Sequence, residues 1–113
     1  NVGGWQWLAP QIKAQPCKQL RMVFGMVDDK DIDTVMTLLP KDAIYYWTQA
    51  SSKRAVPVSA VASKAQSHGL TGKLYESVQE AYQAAKSEAD KDDFIFIGGS
   101  SYIVADLLAI NDF

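Results

Sequence analysis

The sequence predicts an α/β fold in which a mostly parallel sheet lies between two layers of helices. Short apolar segments of strand length alternate along the chain with longer segments whose apolar residues recur every three or four positions. Strands that alternate with helices in this way are typical of βαβ units, whose crossovers are right-handed. A chain of 113 residues with 48% hydrophobic content can bury a core, and we expect residues 1–113 to form a single domain.

The first helix is predicted over residues 3–14, where Trp5, Leu8 and Ile12 share one face. Pro10 is tolerated only near the first turn of a helix, because it lacks the N–H that the helix interior requires. The start of this helix is therefore expected between Gly3 and Leu8, with Leu8 as the latest start.

The remaining elements follow from apolar periodicity and from residues that start or stop helices. Asp28 or Asp29 is expected to cap the second helix, and Pro40 to end it. Ser77 and Glu80 match a capping box. In chain order the predicted elements are a strand over 20–24, a helix to residue 39, a strand over 43–47, a helix over 57–68, a strand over 72–75, a helix that ends near residue 89, a strand over 94–97 and a final helix to residue 108.

The last strand and the turn after it form the most informative stretch. Residues 94–97 are four consecutive apolar residues, as in a strand buried on both faces, and the final helix is apolar nearly all round, so we expect it to pack against the sheet and neighbouring helices. Between them, Gly98 and Gly99 allow a sharp turn, and Ser100 and Ser101 stand where a helix takes its N-cap. Such a helix start can bind an anion; a plain serine cap is the alternative interpretation.

Composition excludes several classes of partner. The 13 acidic and 11 basic residues are mixed along the chain and give a net charge of −2, so we expect no nucleic-acid partner. No apolar run approaches the roughly 20 residues that span a bilayer, and we expect no membrane partner. Cys17 is the single cysteine, which suits a cytoplasmic protein, and with His68 as the single histidine we expect no metal site in this chain.

Two segments carry a resemblance to a known family. Residues 22–32 read Met-Val-Phe-Gly-Met-Val-Asp-Asp-Lys-Asp-Ile, and residues 99–102 read Gly-Ser-Ser-Tyr. The first resembles the Mur ligase C-terminal domain in its folylpolyglutamate and dihydrofolate synthase branch, where the loop reads Gly-x-x-x-Asp-Lys-Asp. The second is similar to that family's last motif, and residues 39–43 and 53–55 continue the match. The resemblance covers essentially the whole chain and implies a three-layer, Rossmann-like α/β/α domain.

The first residues extend the resemblance. Residues 1–5, Asn-Val-Gly-Gly-Trp, resemble the end of the family's Asp-x-x-His-Asn motif, with Asn1 as its Asn. The strand before that motif and the central ATP-binding domain are then expected to lie outside this chain, whose sequence holds no Gly-x-x-x-x-Gly-Lys-Ser/Thr. The implied sheet order is 3-2-1-4. Strand 94–97 would be an exposed edge, along which we expect two copies to pair.

The resemblance also implies an activity for the parent enzyme. Members of this family use ATP and Mg²⁺ to phosphorylate a carboxylate, and the amino group of an amino acid then attacks the acyl phosphate to form an amide. In this branch the acceptor is a dihydropteroate or a folate, and the amino acid is L-glutamate. We expect the isolated chain to be inactive, because the phosphate-binding loop belongs to the central domain.

The resemblance further implies which residues contact substrate or ATP, and none of them is expected to be catalytic. The six residues are Ser100 and Gly99 in the last motif, Asp29 and Lys30 in the facing loop, Arg54 at the family's Pro-Arg position and Asn1 in the first motif. Arg54 would offer a bidentate fork to a carboxylate or phosphate. The alternative for Ser100 is a simple cap, and the alternative for Asp29 and Lys30 is a solvated first turn.

Two other functions remain open from the sequence. The chain is also compatible with a non-catalytic α/β module that binds a partner through the Ser100 face, or with the C-terminal domain of a cell-wall amino-acid ligase. The pair Asp28-Asp29 is similar to the acidic pair of a receiver domain, but no acidic residue ends strand 43–47 and no lysine follows strand 94–97. The sequence therefore disfavours a receiver domain.

Overall fold

The computed structural model describes residues 2–28 and 31–110. In the described ranges helices and strands alternate from the first element to the last, as predicted. The elements are α1 Val2–Lys13, β1 Leu20–Phe24, α2 Ile32–Leu38, β2 Ala43–Trp47, α3 Val58–Ser67, β3 Thr71–Leu74, α4 Val78–Glu88, β4 Phe94–Gly98 and α5 Ser101–Leu108. No helix in these ranges is both long enough and apolar enough to cross a bilayer.

The four strands form one parallel sheet in the order β3-β2-β1-β4. Phe24, the last residue of β1, lies opposite Trp47 of β2 on one side and Gly98 of β4 on the other. The carboxyl ends of the three strands therefore meet at one edge of the sheet. The predicted three-layer α/β fold with strand order 3-2-1-4 is confirmed.

Alternate residues of the central strands fill two separate cores. On one face Met22 and Phe24 pack with α1, α2 and α3, and on the other face Val23 packs against α4. The first core is rich in aromatic rings: the ring centres of Phe24 and Trp5 lie 5.6 Å apart, and those of Phe24 and Trp47 lie 5.7 Å apart in an edge-to-face arrangement. Strands covered on both faces need the continuous apolar runs that made them recognisable in the sequence.

Helix α1 agrees with the predicted range 3–14 to within one residue at each end, and the late start at Leu8 is excluded. It runs from Val2 to Lys13 with Pro10 in its interior. The helix buries Trp5, Ala9 and Ile12 against the sheet, and Pro10 lies on the exposed side. Packing of the buried face thus outweighs the hydrogen bond that Pro10 cannot donate, as tertiary contacts often do with local propensity.

Replacement of Pro10 should stabilise the domain. Pro10→Ala restores the missing backbone donor but gives the unfolded chain more freedom, so we expect the free energy of unfolding to rise by about 1–2 kcal/mol. Urea denaturation of wild type and variant measures the change. Gln11→Ala, an exposed substitution in the same helix, is the control and should change it by less than about 0.5 kcal/mol. No stabilisation by Pro10→Ala would mean that the proline is not strained.

The start of α2 differs from prediction because of a contact between distant residues. Helix α2 has Asp31 as its N-cap, without a side-chain cap bond, instead of Asp28 or Asp29. Asp28 adopts a positive φ of 37° and pairs with Arg54 instead. In α4, by contrast, Ser77 accepts from the Glu80 N–H at 3.1 Å, which confirms the predicted cap.

The last strand and helix are less buried than predicted. Phe94 to Ile97 of β4 are half-buried, because β4 is an edge strand of the described sheet with a neighbour on one side only. In α5, Ile103 is fully buried, whereas Leu108 is 65% exposed and Val104 is 39% exposed. The expected packing of α5 against the sheet and a neighbouring helix is therefore confirmed, since α5 contacts β4 and α4, while its outer side is exposed. Pairing of two copies along β4 stays a prediction.

A charged network supports the sheet on the α4 face. Arg21 donates from Nε to Asp93 Oδ2 at 2.9 Å and from Nη1 to the Tyr46 hydroxyl at 2.8 Å, and that hydroxyl donates to Glu88 at 2.6 Å. The Asp93 side chain is only 2% exposed. The hydrogen bonds from the Asp90 N–H and from Arg21 lower the Asp93 pKa, while burial and Glu88 raise the Tyr46 pKa to about 12.

This network predicts a pH dependence of stability. Because the pKa of Asp93 is lower in the folded protein than in the unfolded chain, its carboxylate stabilises the fold above about pH 4, and that contribution is lost as the pH falls through the folded-state pKa. Asp93→Asn should therefore lose stability at neutral pH and differ least from wild type in acid. Urea denaturation across pH tests this. The exposed Asp92→Asn control should follow wild type; a constant deficit of Asp93→Asn at all pH values would contradict the assignment.

Candidate functional site

The candidate site lies at the carboxyl edge of the sheet, where the chain leaves β1 and β4. The Gly25 N–H donates to the Gly98 carbonyl at 3.3 Å, so the two strands stay paired as they end. Gly99 then turns with a φ of 106°, and a Cβ atom built on it would lie 2.1 Å from the Gly25 carbonyl oxygen. Only glycine fits this turn, as the sequence predicted from the close approach of the backbone.

Ser100 is the N-cap of α5. Its hydroxyl accepts a hydrogen bond from the Ile103 N–H at 3.3 Å. Ile103 is fully buried and packs over Gly25, where a Cβ atom would meet its Cδ1 at 2.7 Å. The start of α5 is therefore fixed against the end of β1, at the carboxyl edge of the sheet.

The loop that carries Arg54 is joined to the loop after β1 by backbone hydrogen bonds. Val27 and Ala55 form an antiparallel bridge, and the Asp28 N–H donates to the Arg54 carbonyl at 3.1 Å. The Val56 N–H donates to the Met26 carbonyl at 2.8 Å. Two loops that are separate in sequence thus form one wall beside the turn at Gly99.

The side chain of Arg54 crosses that wall to α5. Its Nε donates to Asp28 Oδ2, and its Nη1 donates to the Tyr102 hydroxyl at 3.3 Å. The guanidinium carbon lies 5.6 Å from the centre of the Tyr102 ring. Hydrogen bonds to Asp28 and then to Tyr102 raise the pKa of Arg54. We call Asp28, Arg54 and Tyr102 the arginine clasp.

A second contact anchors the start of the Arg54 loop. The carboxylate of Asp106 in α5 accepts from the Ser51 N–H at 2.8 Å and from the Ser51 hydroxyl at 2.9 Å. The loop is therefore held to α5 at Ser51 as well as at the arginine clasp. Neither Tyr102 nor Asp106 was assigned a role from the sequence, since their partners are about 50 positions away.

The structure brings three of the six predicted site residues to one place. Gly99 and Ser100 form the turn into α5, and Arg54 reaches the first turn of that helix. Asn1, Asp29 and Lys30 lie outside the described residues. Asp28 was expected as a helix cap; its backbone conformation and its pairing with Arg54 place it in the site instead.

The described residues offer no group of three or more His, Cys, Asp or Glu side chains that could hold a metal ion. His68 lies at the carboxyl end of α3, and its Nε2 lies 2.9 Å from Asp33 Oδ1. Lys64 also pairs with Asp33 at 3.0 Å. This cluster joins α2 to α3. A structural role at the end of a helix, where a histidine interacts favourably with the helix dipole, accounts for His68.

A comparison with models of known protein families shows the family of this chain. A family model described as "Mur ligase, glutamate ligase domain" matches residues 1–101. The chain belongs to this family. The resemblance predicted from the motifs at 22–32 and 99–102 is confirmed.

Individual relatives of this glutamate ligase domain agree. This chain is 31% identical over 113 residues to a dihydrofolate synthase/folylpolyglutamate synthase of Escherichia coli K12. The match covers 99% of this chain but 26% of that protein. The chain is similar to a solved structure of Escherichia coli FolC in complex with DHPP and ADP, with 25% identity, a TM-score of 0.84, and coverage of 96% of this chain and 26% of that one. The chain thus spans about a quarter of the length of its relatives.

A more distant structure supports the fold alone. A folylpolyglutamate synthase of Mycobacterium tuberculosis complexed with ADP is 22% identical, with a TM-score of 0.80, and the match covers 98% of this chain and 28% of that one. The matched part of that structure thus shares the fold described above.

The turn at Gly99 predicts a strong response to a single methyl group. Gly99→Ala combines an unfavourable φ with a clash against the Gly25 carbonyl, so we expect a loss of at least about 3 kcal/mol in the free energy of unfolding. Gly69→Ala is the matched control, because Gly69 has a φ of 74° and nothing within 4 Å of an added Cβ. It should cost about 1–2 kcal/mol. Equal losses in thermal or urea unfolding would show that the close approach is relaxed in solution.

Proposed function

We propose that this glutamate ligase domain is the C-terminal domain of a longer ATP-dependent ligase that adds L-glutamate to dihydropteroate or to a folate. The observation that carries the proposal is the arginine clasp beside the Gly99–Ser100 turn, which sets a guanidinium next to a helix N-terminus at the carboxyl edge of the sheet. Ligands of open parallel sheets bind beyond this edge. The similarity to an enzyme named dihydrofolate synthase/folylpolyglutamate synthase supports the choice of substrates.

The proposed reaction needs two anionic substrates held in position for attack, the acceptor carboxylate with its phosphoryl group and L-glutamate. ATP supplies a phosphoryl group to the acceptor carboxylate, and the amino group of L-glutamate then attacks the acyl carbon, forms the amide and releases phosphate. In our proposal Arg54 binds a carboxylate of L-glutamate through its guanidinium donors. The Ser100 hydroxyl and the first N–H groups of α5 face the anionic oxygens. Gly99 allows the backbone to come close, and Asn1, Asp29 and Lys30 are proposed to complete this wall.

The described residues fit the two cofactors differently. The Gly99–Ser100 turn suits an oxyanion of a nucleotide, and the similar FolC structure contains ADP. For Mg²⁺ the described residues provide no cluster of carboxylate or histidine ligands. We propose that a central domain of the parent protein binds both ATP and Mg²⁺.

This division of labour defines the partners of the domain. Residues 1–113 are proposed to form one folding unit that closes against the central domain in a cytoplasmic enzyme. The isolated chain is then inactive, because one wall of a cleft cannot orient both substrates. Self-association through the edge of β4 is a separate proposal that rests on the outward position of that strand in the described sheet.

A binding titration tests the proposed wall. NMR spectra of the isolated chain are recorded with L-glutamate and, separately, with ATP and Mg²⁺, and we expect dissociation constants of about millimolar or weaker because most of the cleft would be elsewhere. Shifts should cluster at 98–102 and at Arg54. Ser100→Ala should weaken them, whereas Ser77→Ala, which removes the matching cap of α4, should not.

Three results would contradict the proposal. If Ser100→Ala and Ser77→Ala weakened ligand binding equally, Ser100 would act only as a helix cap. A micromolar dissociation constant would mean that the site is complete within this chain. Release of ADP from ATP by the isolated chain, with L-glutamate and dihydropteroate present, would contradict its proposed inactivity. The same assay on the parent protein should show ADP release only with both substrates.

A further inference from the structure

We propose that Asp28 occupies the carboxylate site of Arg54 when no ligand is bound, that a ligand carboxylate exchanges with it, and that Tyr102 holds the guanidinium in position during the exchange. This inference rests on the proposed function and names two residues that set the affinity of its glutamate site. The guanidinium already binds the chemical group that L-glutamate would bring, since its Nε donates to Asp28 Oδ2. A carboxylate that takes the place of Asp28 meets the same donors.

The pairing of Asp28 with Arg54 is built into the backbone. The Asp28 N–H donates to the Arg54 carbonyl at 3.1 Å, and the neighbouring residues Val27 and Ala55 bridge the same two loops. Asp28 also adopts a positive φ of 37°, which aspartate tolerates better than most residues. The two side chains are therefore neighbours whether or not their ion pair forms, and Asp28 acts as an intramolecular competitor at high local concentration.

The ion pair is weak enough to exchange. The side chains of Arg54 and Asp28 are 56% and 51% exposed, and pairs so open to water contribute little to stability. Asp28 can regain its hydration when it leaves. Within residues 2–28 and 31–110, the side-chain hydrogen bonds of Arg54 use Nε and Nη1, so Nη2 is directed to no described acceptor. A ligand can therefore contact more of the guanidinium than Asp28 does.

Tyr102 keeps the guanidinium in place independently of Asp28. Its hydroxyl accepts from Nη1 at 3.3 Å, and its ring lies under the guanidinium, 5.6 Å from ring centre to the central carbon. Tyr102 lies in the first turn of α5, next to the fully buried Ile103. We therefore assign Tyr102 as a positioning residue that acts on the ligand through Arg54.

The test is a titration of four variants of the chain with L-glutamate at constant ionic strength, read from the NMR signal of the Arg54 Nε–H group. Asp28→Asn keeps size and tolerance of positive φ but loses the competing charge, and affinity should rise about two- to fivefold. Tyr102→Phe keeps the ring but loses the hydroxyl and should weaken binding about two- to tenfold. Arg54→Gln, read from backbone signals at 98–102, should abolish binding. Asp90→Asn makes the same charge change at the Lys18 ion pair and should leave affinity unchanged.

The outcomes separate this inference from the proposed function. Carboxylate exchange is wrong if Asp28→Asn binds L-glutamate no more tightly than wild type, or if the affinity of Asp90→Asn rises as much as that of Asp28→Asn. In either case, loss of binding in Arg54→Gln still supports a glutamate site. If neither wild type nor Asp28→Asn binds, the exchange is overturned, while ADP release by the parent protein decides the proposed function by itself. Unchanged affinity in Tyr102→Phe overturns the positioning role. A parallel titration with inorganic phosphate identifies the oxyanion. If Asp28→Asn raised the affinity for phosphate but not for L-glutamate, the carboxylate assignment would be rejected.

Discussion

The pairing of β1 on both sides is the constraint on which the site depends. Met22, Val23 and Phe24 are fully buried, and β1 is hydrogen-bonded to β2 and to β4 along its whole length. The pairing continues beyond the strand, since the Thr48 N–H donates to the Phe24 carbonyl at 2.9 Å and the Gly25 N–H to β4. Three segments therefore leave the sheet within hydrogen-bond reach of one another. The packed sheet therefore fixes the positions of the loops that follow β1, β2 and β4.

Arg21 and Arg54 form ion pairs that serve two different purposes. Arg21 and its partner Asp93 are 13% and 2% exposed, and the pair belongs to a network that also holds Tyr46. Loss of one partner there would leave a buried charge, which is costly. Arg54 and Asp28 are both more than half exposed, so either partner can return to water. Burial, more than distance, decides which pair is structural and which can exchange with a ligand.

The parts of the fold that depend on local pattern were predictable, and the parts that depend on distant contacts were not. Apolar segments predicted the bounds of β1 and β2 to the residue, although Arg21 interrupts the apolar run of β1; β3, with all four residues exposed, lies one position earlier than predicted. Turn chemistry alone located Gly99 and Ser100. The role of Asp28 escaped prediction because its partner Arg54 is 26 positions away, and Tyr102 is a further 48 from that arginine. Such contacts exist only once the sheet has set the strand ends side by side.

The two interpretations of Ser100 are compatible with each other. As an N-cap the hydroxyl accepts a hydrogen bond from the Ile103 N–H, which uses an oxygen lone pair. The hydroxyl proton is not consumed by that bond, because a serine side chain is both donor and acceptor. A capped serine is also held in one rotamer, so its proton can be directed to a ligand at little further entropic cost. The cap therefore prepares Ser100 for the contact that we propose.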